Sequence, residues 1–160
     1  MKFMIWIFFA LMPQAVLAEC LAQVALKSGP NWISYKVEIA HTEEQRARGL
    51  MGREDIAYDG GMLFIYPEEG TRSFWMKDTP LPLDILFFGS DRKLVSVAQN
   101  TAPNDETPIS GGEGISMVLE LNAGQFQENN MDDSAELIII DVSGNECPLD
   151  IVDAYDVTTQ

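Results

Sequence analysis

The sequence predicts a mainly β domain: an antiparallel sandwich or distorted barrel, jelly-roll-like, of about seven strands with one or two short helices. Three observations carry this expectation. Trp32 to Ala40 alternates, with Ile33, Tyr35, Val37 and Ile39 on one side and Ser34, Lys36 and Glu38 on the other, the pattern of a half-buried strand. Short apolar runs follow it, separated by Gly, Pro, Asn and Asp turn signals about every ten residues. No strand–helix–strand rhythm of the kind that builds a parallel sheet runs along the chain.

The elements follow in order after a polar lead-in to Trp32. Thr42 and Gln45 have the spacing of a capping box, and Glu43 and Glu44 sit in the first turn, where the helix dipole favours them. Ala47, Leu50 and Met51 give one apolar face and Gly52 a stop, so a helix is expected from Glu43 to Met51. Asp59-Gly60-Gly61 turns into a strand from Met62 to Tyr66, and Pro67-Glu68-Glu69-Gly70 turns the chain again before a strand from Ser73 to Lys77. Leu83 to Phe88 reads as a buried strand, and Gly89 to Arg92 as a hairpin turn into Leu94 to Ala98. Gln99 to Gly114 is polar, without periodicity, and expected to be a loop. Strands are expected at Ile115 to Leu121 and Ala135 to Val142, with a helical turn or two from Ala123 to Asn129.

The N-terminus has Lys2, an apolar run from Phe3 to Met12, the breaker Pro13, and Val16 and Ala18 at the small-residue positions of a cleavage site. This is the pattern of a secretory signal peptide over residues 1–18, leaving one domain over residues 19–160. The run ends well short of the roughly 20 apolar residues of a membrane span, and Glu19 sits where a lipoprotein site at Cys20 would need a small residue. The expected destination is the periplasm or the extracellular space. The formal net charge is −15, and loss of Lys2 makes the mature chain more negative. Such a surface repels nucleic acid and anionic membrane. Cys20 and Cys147, near the two ends of the mature chain, are expected to form a disulfide in that oxidising compartment. The acidic tail after Cys147 is expected to fray.

The pieces GLMGRE (Gly49 to Glu54), GGMLFIY (Gly60 to Tyr66), SFWMKDTPLPLDILFF (Ser73 to Phe88) and VLELNAG (Val118 to Gly124), in this order, resemble the DUF192 family, also called UPF0127. The resemblance covers about residues 36–141. It implies a compact β-rich fold of sandwich or jelly-roll type, in proteins that often follow a signal peptide, and it implies no activity, substrate or catalytic residue. The chain departs from the pattern at Asn130 to Ser134, NMDDS, where relatives commonly have a Gly-Asp turn.

Two carboxylates lie inside apolar strands, Asp84 in PLPLDILFF and Glu120 in MVLELNAG. A carboxylate removed from water needs a partner or becomes neutral, and Arg48, Arg53, Arg72 and Lys77 are the candidate cations. The pair either fixes strand register through ion pairs and backbone bonds or forms a site. Facing each other across a pocket, they would suit glycoside hydrolysis. If Ser73 to Thr79 is extended, Trp75, Lys77 and Thr79 share a face, with Trp75 to stack on a ligand and Lys77 to supply charge. The alternative is that Trp75 anchors the core while Lys77 reaches outward.

The expected function is therefore a binding or accessory module for a small polar or anionic ligand, with Arg53, Trp75, Lys77, Asp84 and Glu120 as its tentative binding residues. One alternative is a hydrolase of envelope glycan or another polar polymer using Asp84 and Glu120; whether the chain is an enzyme stays open, as does any protein partner. Another is Cu(I) handling through Met51, Met62, Met76, Met117 and Met131, with His41 or Trp75. The residues name no cofactor: Gly60-Gly61 lacks the rest of a phosphate loop, and one His with two cysteines destined for a disulfide makes no zinc site.

Overall fold

The computed structural model describes residues 20–144 and Cys147. The signal peptide expected over residues 1–18 and the tail after Cys147 lie outside them. The mainly β expectation holds, with seven strands and two short helices: β1 Leu21–Ser28, β2 Asn31–Ala40, α1 Glu43–Arg48, β3 Gly60–Phe74, β4 Leu83–Phe88, β5 Leu94–Ala98, β6 Ile109–Asn122, α2 Gln125–Glu128 and β7 Glu136–Ser143. They form one sheet in the order β5-β4-β6-β3-β2-β1-β7. Its edges touch where Lys93 bridges Glu136, through Leu94 N–H to Ala135 C=O and Leu137 N–H to Arg92 C=O at 2.9 Å each, without closing a barrel.

The sheet is mixed, which corrects the expectation of antiparallel neighbours throughout. β2 and β3 run parallel, because residues 41–59, with α1 among them, exceed the dozen or so residues that a crossover needs. The capping box of α1 forms as expected: Gln45 N–H donates to Thr42 Oγ1 and Thr42 N–H to Gln45 Oε1. The helix stops at Arg48 rather than Met51, since Gly49 takes the positive φ of 49°.

Four further stretches differ from the expected ones. β1 lies in the polar lead-in, where Ala22, Val24 and Leu26 face inward and Gly29-Pro30 turns the chain into β2. The turn expected at Pro67 to Gly70 is absorbed within β3 by register shifts against β6 between Ile65 and Gly70, so that no ladder bond is asked of Pro67. Trp75 to Thr79 is not extended: Thr79 N–H donates to Met76 C=O at 3.1 Å and Asp78 has φ 51°, so the alternation expected there is lost in a turn. Part of the expected loop, from Ile109, is strand β6; the remainder is tied down by Asn104 N–H to Thr79 C=O and Met76 N–H to Asp105 C=O.

Alternation along the central strands splits the apolar side chains between two faces. Leu63, Ile65, Leu86, Phe88, Leu119 and Leu121 join the larger core, with Val24, Tyr35 and Phe126. Met62, Phe64, Ile85, Phe87 and Val118 join the smaller, covered by Leu50 after α1 and by Met76. Among the described residues no helix is long and apolar enough to cross a membrane. The expected disulfide joins Cys20, at the start of β1, to Cys147, beyond β7, across a sequence separation of 127 with Cα atoms 4.8 Å apart. A loop of this size constrains the unfolded chain strongly, so reduction or Cys147→Ser is expected to lower the unfolding free energy by about 2–5 kcal/mol. Urea unfolding with and without reductant measures this; coincident midpoints would contradict it.

Candidate functional site

Register decides the fate of the two buried carboxylates. Asp84 stands opposite Leu121, and its neighbour Ile85 stands opposite Glu120. Asp84 therefore points with Leu86 and Phe88 into the larger core, and Glu120 with Ile85 and Phe87 to the other face. They do not meet across one pocket, so the pair that glycoside hydrolysis requires does not assemble.

Asp84 is fully buried, and backbone groups satisfy it. Its Oδ1 accepts from Asn100 N–H at 2.8 Å and its Oδ2 from Phe126 N–H at 2.9 Å. Gly124, at the N-cap of α2, offers no side chain to the helix, and Asp84 supplies from β4 the acceptor that a capping residue would. The same carboxylate holds the turn after β5, where Asn100 has φ 52°. Of the two expected kinds of partner, cation or backbone, Asp84 has the second, in a structural role. Asp84→Ala leaves both amides without an acceptor and is expected to cost about 2–4 kcal/mol; urea denaturation checks it, and a loss below about 0.5 kcal/mol would contradict this role.

Glu120 is also buried, but no described residue holds its Oε2. Burial pushes its carboxyl from 4.5 up to about 8, so the group is protonated at neutral pH. It lies at a cleft of about 320 Å³, whose other walls are Phe64, Tyr66, the stretch Ser73 to Trp75, Thr79 and the stretch Arg46 to Met51. Each element has a reason to be there. The capping box holds α1 in place, Leu50 anchors its end in the smaller core, and Gly49 lets the turn pass close to the carboxyl. A Cβ on Gly49 would sit 3.2 Å from Phe64 Cζ and 3.9 Å from Glu120 Oε2. Phe64, Phe74 and Phe87 stack edge to face, with centroids 5.0 and 5.7 Å apart, and fix the aromatic wall. Burial, above all, pushes the Tyr66 hydroxyl up; Arg72 and Arg46 work against that shift, and Glu120, once ionised, adds to it.

The five tentative binding residues are dispersed. Trp75, 46% exposed, and Glu120 line the cleft. Lys77 lies over the Trp75 ring, Nζ 5.2 Å from its centroid, and so is neither a free rim charge nor a partner of Asp84. Arg53 is elsewhere, in a groove of about 530 Å³ beside β2, where its guanidinium grips the Glu38 carboxylate with both Nη atoms. Asp84 is in the opposite core. Arg46, Tyr66 and Phe74 were not among the expected site residues. The aromatics carry the ordinary signature of strand core, and Arg46 that of a solvated helix face.

The methionines of the copper alternative divide between the faces, Met62 and Met76 in the smaller core and Met117 and Met131 in the larger. Met76 Sδ already accepts the Thr101 hydroxyl at 3.2 Å.

A protonated buried glutamate leaves a clear pH signature. Between about 4.5 and 8 the folded chain keeps a proton that the unfolded chain releases, so the stability present below that window is lost as pH rises through it. The slope is at most about 1.4 kcal/mol per pH unit. Glu120→Gln is expected to remove it, leaving the variant more stable than the native protein at pH 8.5 relative to their difference at pH 5. Denaturant unfolding at both pH values is the check, and a pH-independent difference would contradict it.

Comparison with known proteins bears on the fold. The DUF192 family model, described as "Uncharacterized ACR", matches residues 24–139. A putative transcription regulator from Sinorhizobium meliloti 1021 is similar in structure, with a TM-score of 0.74 and 35% identity over 77% of this chain and 96% of that one. A protein of unknown function from Novosphingobium aromaticivorans DSM 12444 is similar too, with a TM-score of 0.73 and 30% identity over 78% of this chain and 89% of that one. No curated protein matches.

Proposed function

The chain belongs to the DUF192 family, a membership that carries a fold and no activity, and we propose from its geometry that it is an exported binding module for a small ring-bodied ligand. The observation that carries this reading is Glu120: a protonated carboxyl, unpartnered at Oε2, beside a cleft with aromatic walls. Burying such a group without a partner works against stability, and a ligand atom that accepts from the acid, or donates to it, removes the cost. Half-exposed Trp75, with Phe74 and Tyr66, gives the cleft an aromatic lining that suits a flat or sugar-like body. The volume is at the small end of the range for ligand pockets, which suits a single ring better than a polymer.

Export is the compartment that fits this reading. It is supported by the N-terminal sequence, Lys2 then Phe3 to Met12 with small residues Val16 and Ala18, and by the Cys20–Cys147 disulfide. The domain at work is then residues 19–160.

A thermal-shift panel of monosaccharides and small neutral aromatics such as benzamide tests the reading. A ligand at a hundred times its dissociation constant adds about 2.7 kcal/mol, and the same ligand is expected to change Trp75 fluorescence. Trp75→Ala and Glu120→Gln should each weaken it at least tenfold. A panel without any hit, or a hit that both variants bind as well as the native protein, would refute it.

A further inference from the structure

The cleft continues past Arg46, Ala47 and Tyr66 into an open shelf, lined also by Glu43, Pro67, Glu68 and Arg72. Two guanidiniums flank the Tyr66 ring there. Arg46, from α1, has Cζ 5.0 Å from the ring centroid, and its Nη1 donates to the carbonyls of His41 and Ile65. Arg72, from the far part of β3, has Cζ 4.1 Å from the same centroid and donates from Nη2 to Glu68 C=O at 2.6 Å. Its Nε is shielded from solvent and has no acceptor. Arg48 lines the cleft beside them.

The chain has 25 acidic residues against ten basic ones, so a free arginine should find a carboxylate easily. Among the described residues the ion pairs are Lys36 with Asp59, Arg53 with Glu38, and Lys93 with Asp91. Arg46, Arg48 and Arg72 join none of them, although Glu43 and Glu68 lie on the same shelf. Three of the five arginines thus line the cleft and the shelf, Arg48 the first, Arg72 the second and Arg46 both, and Arg46 and Arg72 are held by carbonyls and an aromatic ring rather than by a carboxylate. A guanidinium fork is built to take a planar or tetrahedral oxyanion with two parallel bonds.

We infer that the Arg46–Tyr66–Arg72 shelf is an anion subsite of the cleft, so that the ligand is a small ring bearing a carboxylate or phosphate. The inference rests on the binding reading above. With the ring at Trp75 and Phe74, the oxyanion lies toward Arg72 and Arg46. The protonated Glu120 carboxyl is compatible with this: an ionised one would repel such a ligand, and a neutral one can donate to it. Free sugar acids, sugar phosphates and aromatic acids share this chemistry.

Matched probes separate the two readings: benzoate and phenyl phosphate against benzamide, glucuronate and glucose 6-phosphate against glucose, each titrated by Trp75 fluorescence. In the native protein the anionic member of a pair should bind at least tenfold tighter than the neutral one. Arg72→Gln should abolish that advantage, weakening the anionic probe at least tenfold more than its neutral partner, and Arg72→Lys should keep part of it. Inorganic phosphate should compete with the anionic probe and not with the neutral one. Neutral and anionic probes binding equally, or an anion preference that survives Arg72→Gln, would overturn the subsite and leave the cleft standing. No binding by either member of any pair would overturn both.

Discussion

The antiparallel pairing of β3 with β6 at the middle of the sheet decides which side chains the two cores receive. Because side chains alternate with period two, a single register sends Leu63, Leu119 and Leu121 to one face and Met62, Phe64 and Glu120 to the other. Strand β4, paired to β6 on the other side, inherits the same division, so Asp84 and Ile85 part company. The site is a consequence of this geometry. Glu120 stands in a central strand, flanked by Met62 and Ile85, where water is excluded except through the cleft that α1 leaves open.

The two buried carboxylates show how environment assigns different work to the same chemical group. Asp84 is reached by two amide donors from the turn after β5 and the start of α2, so it joins pieces far apart in sequence. Glu120 meets an aromatic wall and a glycine turn, and no donor of the described residues reaches its Oε2. Desolvation then moves its titration rather than a salt bridge satisfying it. The arginines that could have paired with it are drawn instead to the Tyr66 ring and to backbone carbonyls. An acid left neutral and arginines outside any ion pair, on the cleft and its adjoining shelf, make a polar and aromatic cavity.

Strand character was legible wherever apolar alternation or a continuous apolar run was present, as in β2, β4 and β7. The tally of strands agrees with the expectation for two opposing reasons. The lead-in Leu21 to Ser28 hid β1 because Ala, Gln and Lys dilute its alternation, although Gly29-Pro30 announced the turn. Conversely, Pro67 to Gly70 looked like a break and is carried inside β3 by bulges. The parallel β2–β3 pair could not be read locally, since it depends on where a crossover returns. Of the site, the neighbours of Glu120 in β6 revealed its side relative to Leu119 and Leu121. Its side relative to Asp84 depends on the β4–β6 register, and a one-residue slip would reverse it. That is why the two carboxylates seemed a candidate pair and are not one. Trp75 and Lys77 were assigned a shared strand face and instead meet through a turn, one side chain lying over the other.

The candidate site turns on a neutral glutamate kept beside a cleft. Side-chain carboxyl ¹³C chemical shifts of glutamate-labelled protein, followed across pH and assigned with Glu120→Gln, read its protonation directly. The expected result is a Glu120 resonance that titrates at about pH 8, well above the ordinary 4.5. A midpoint near the ordinary 4.5 would mean that the carboxyl is solvated or paired, and the site described here would lose its centre.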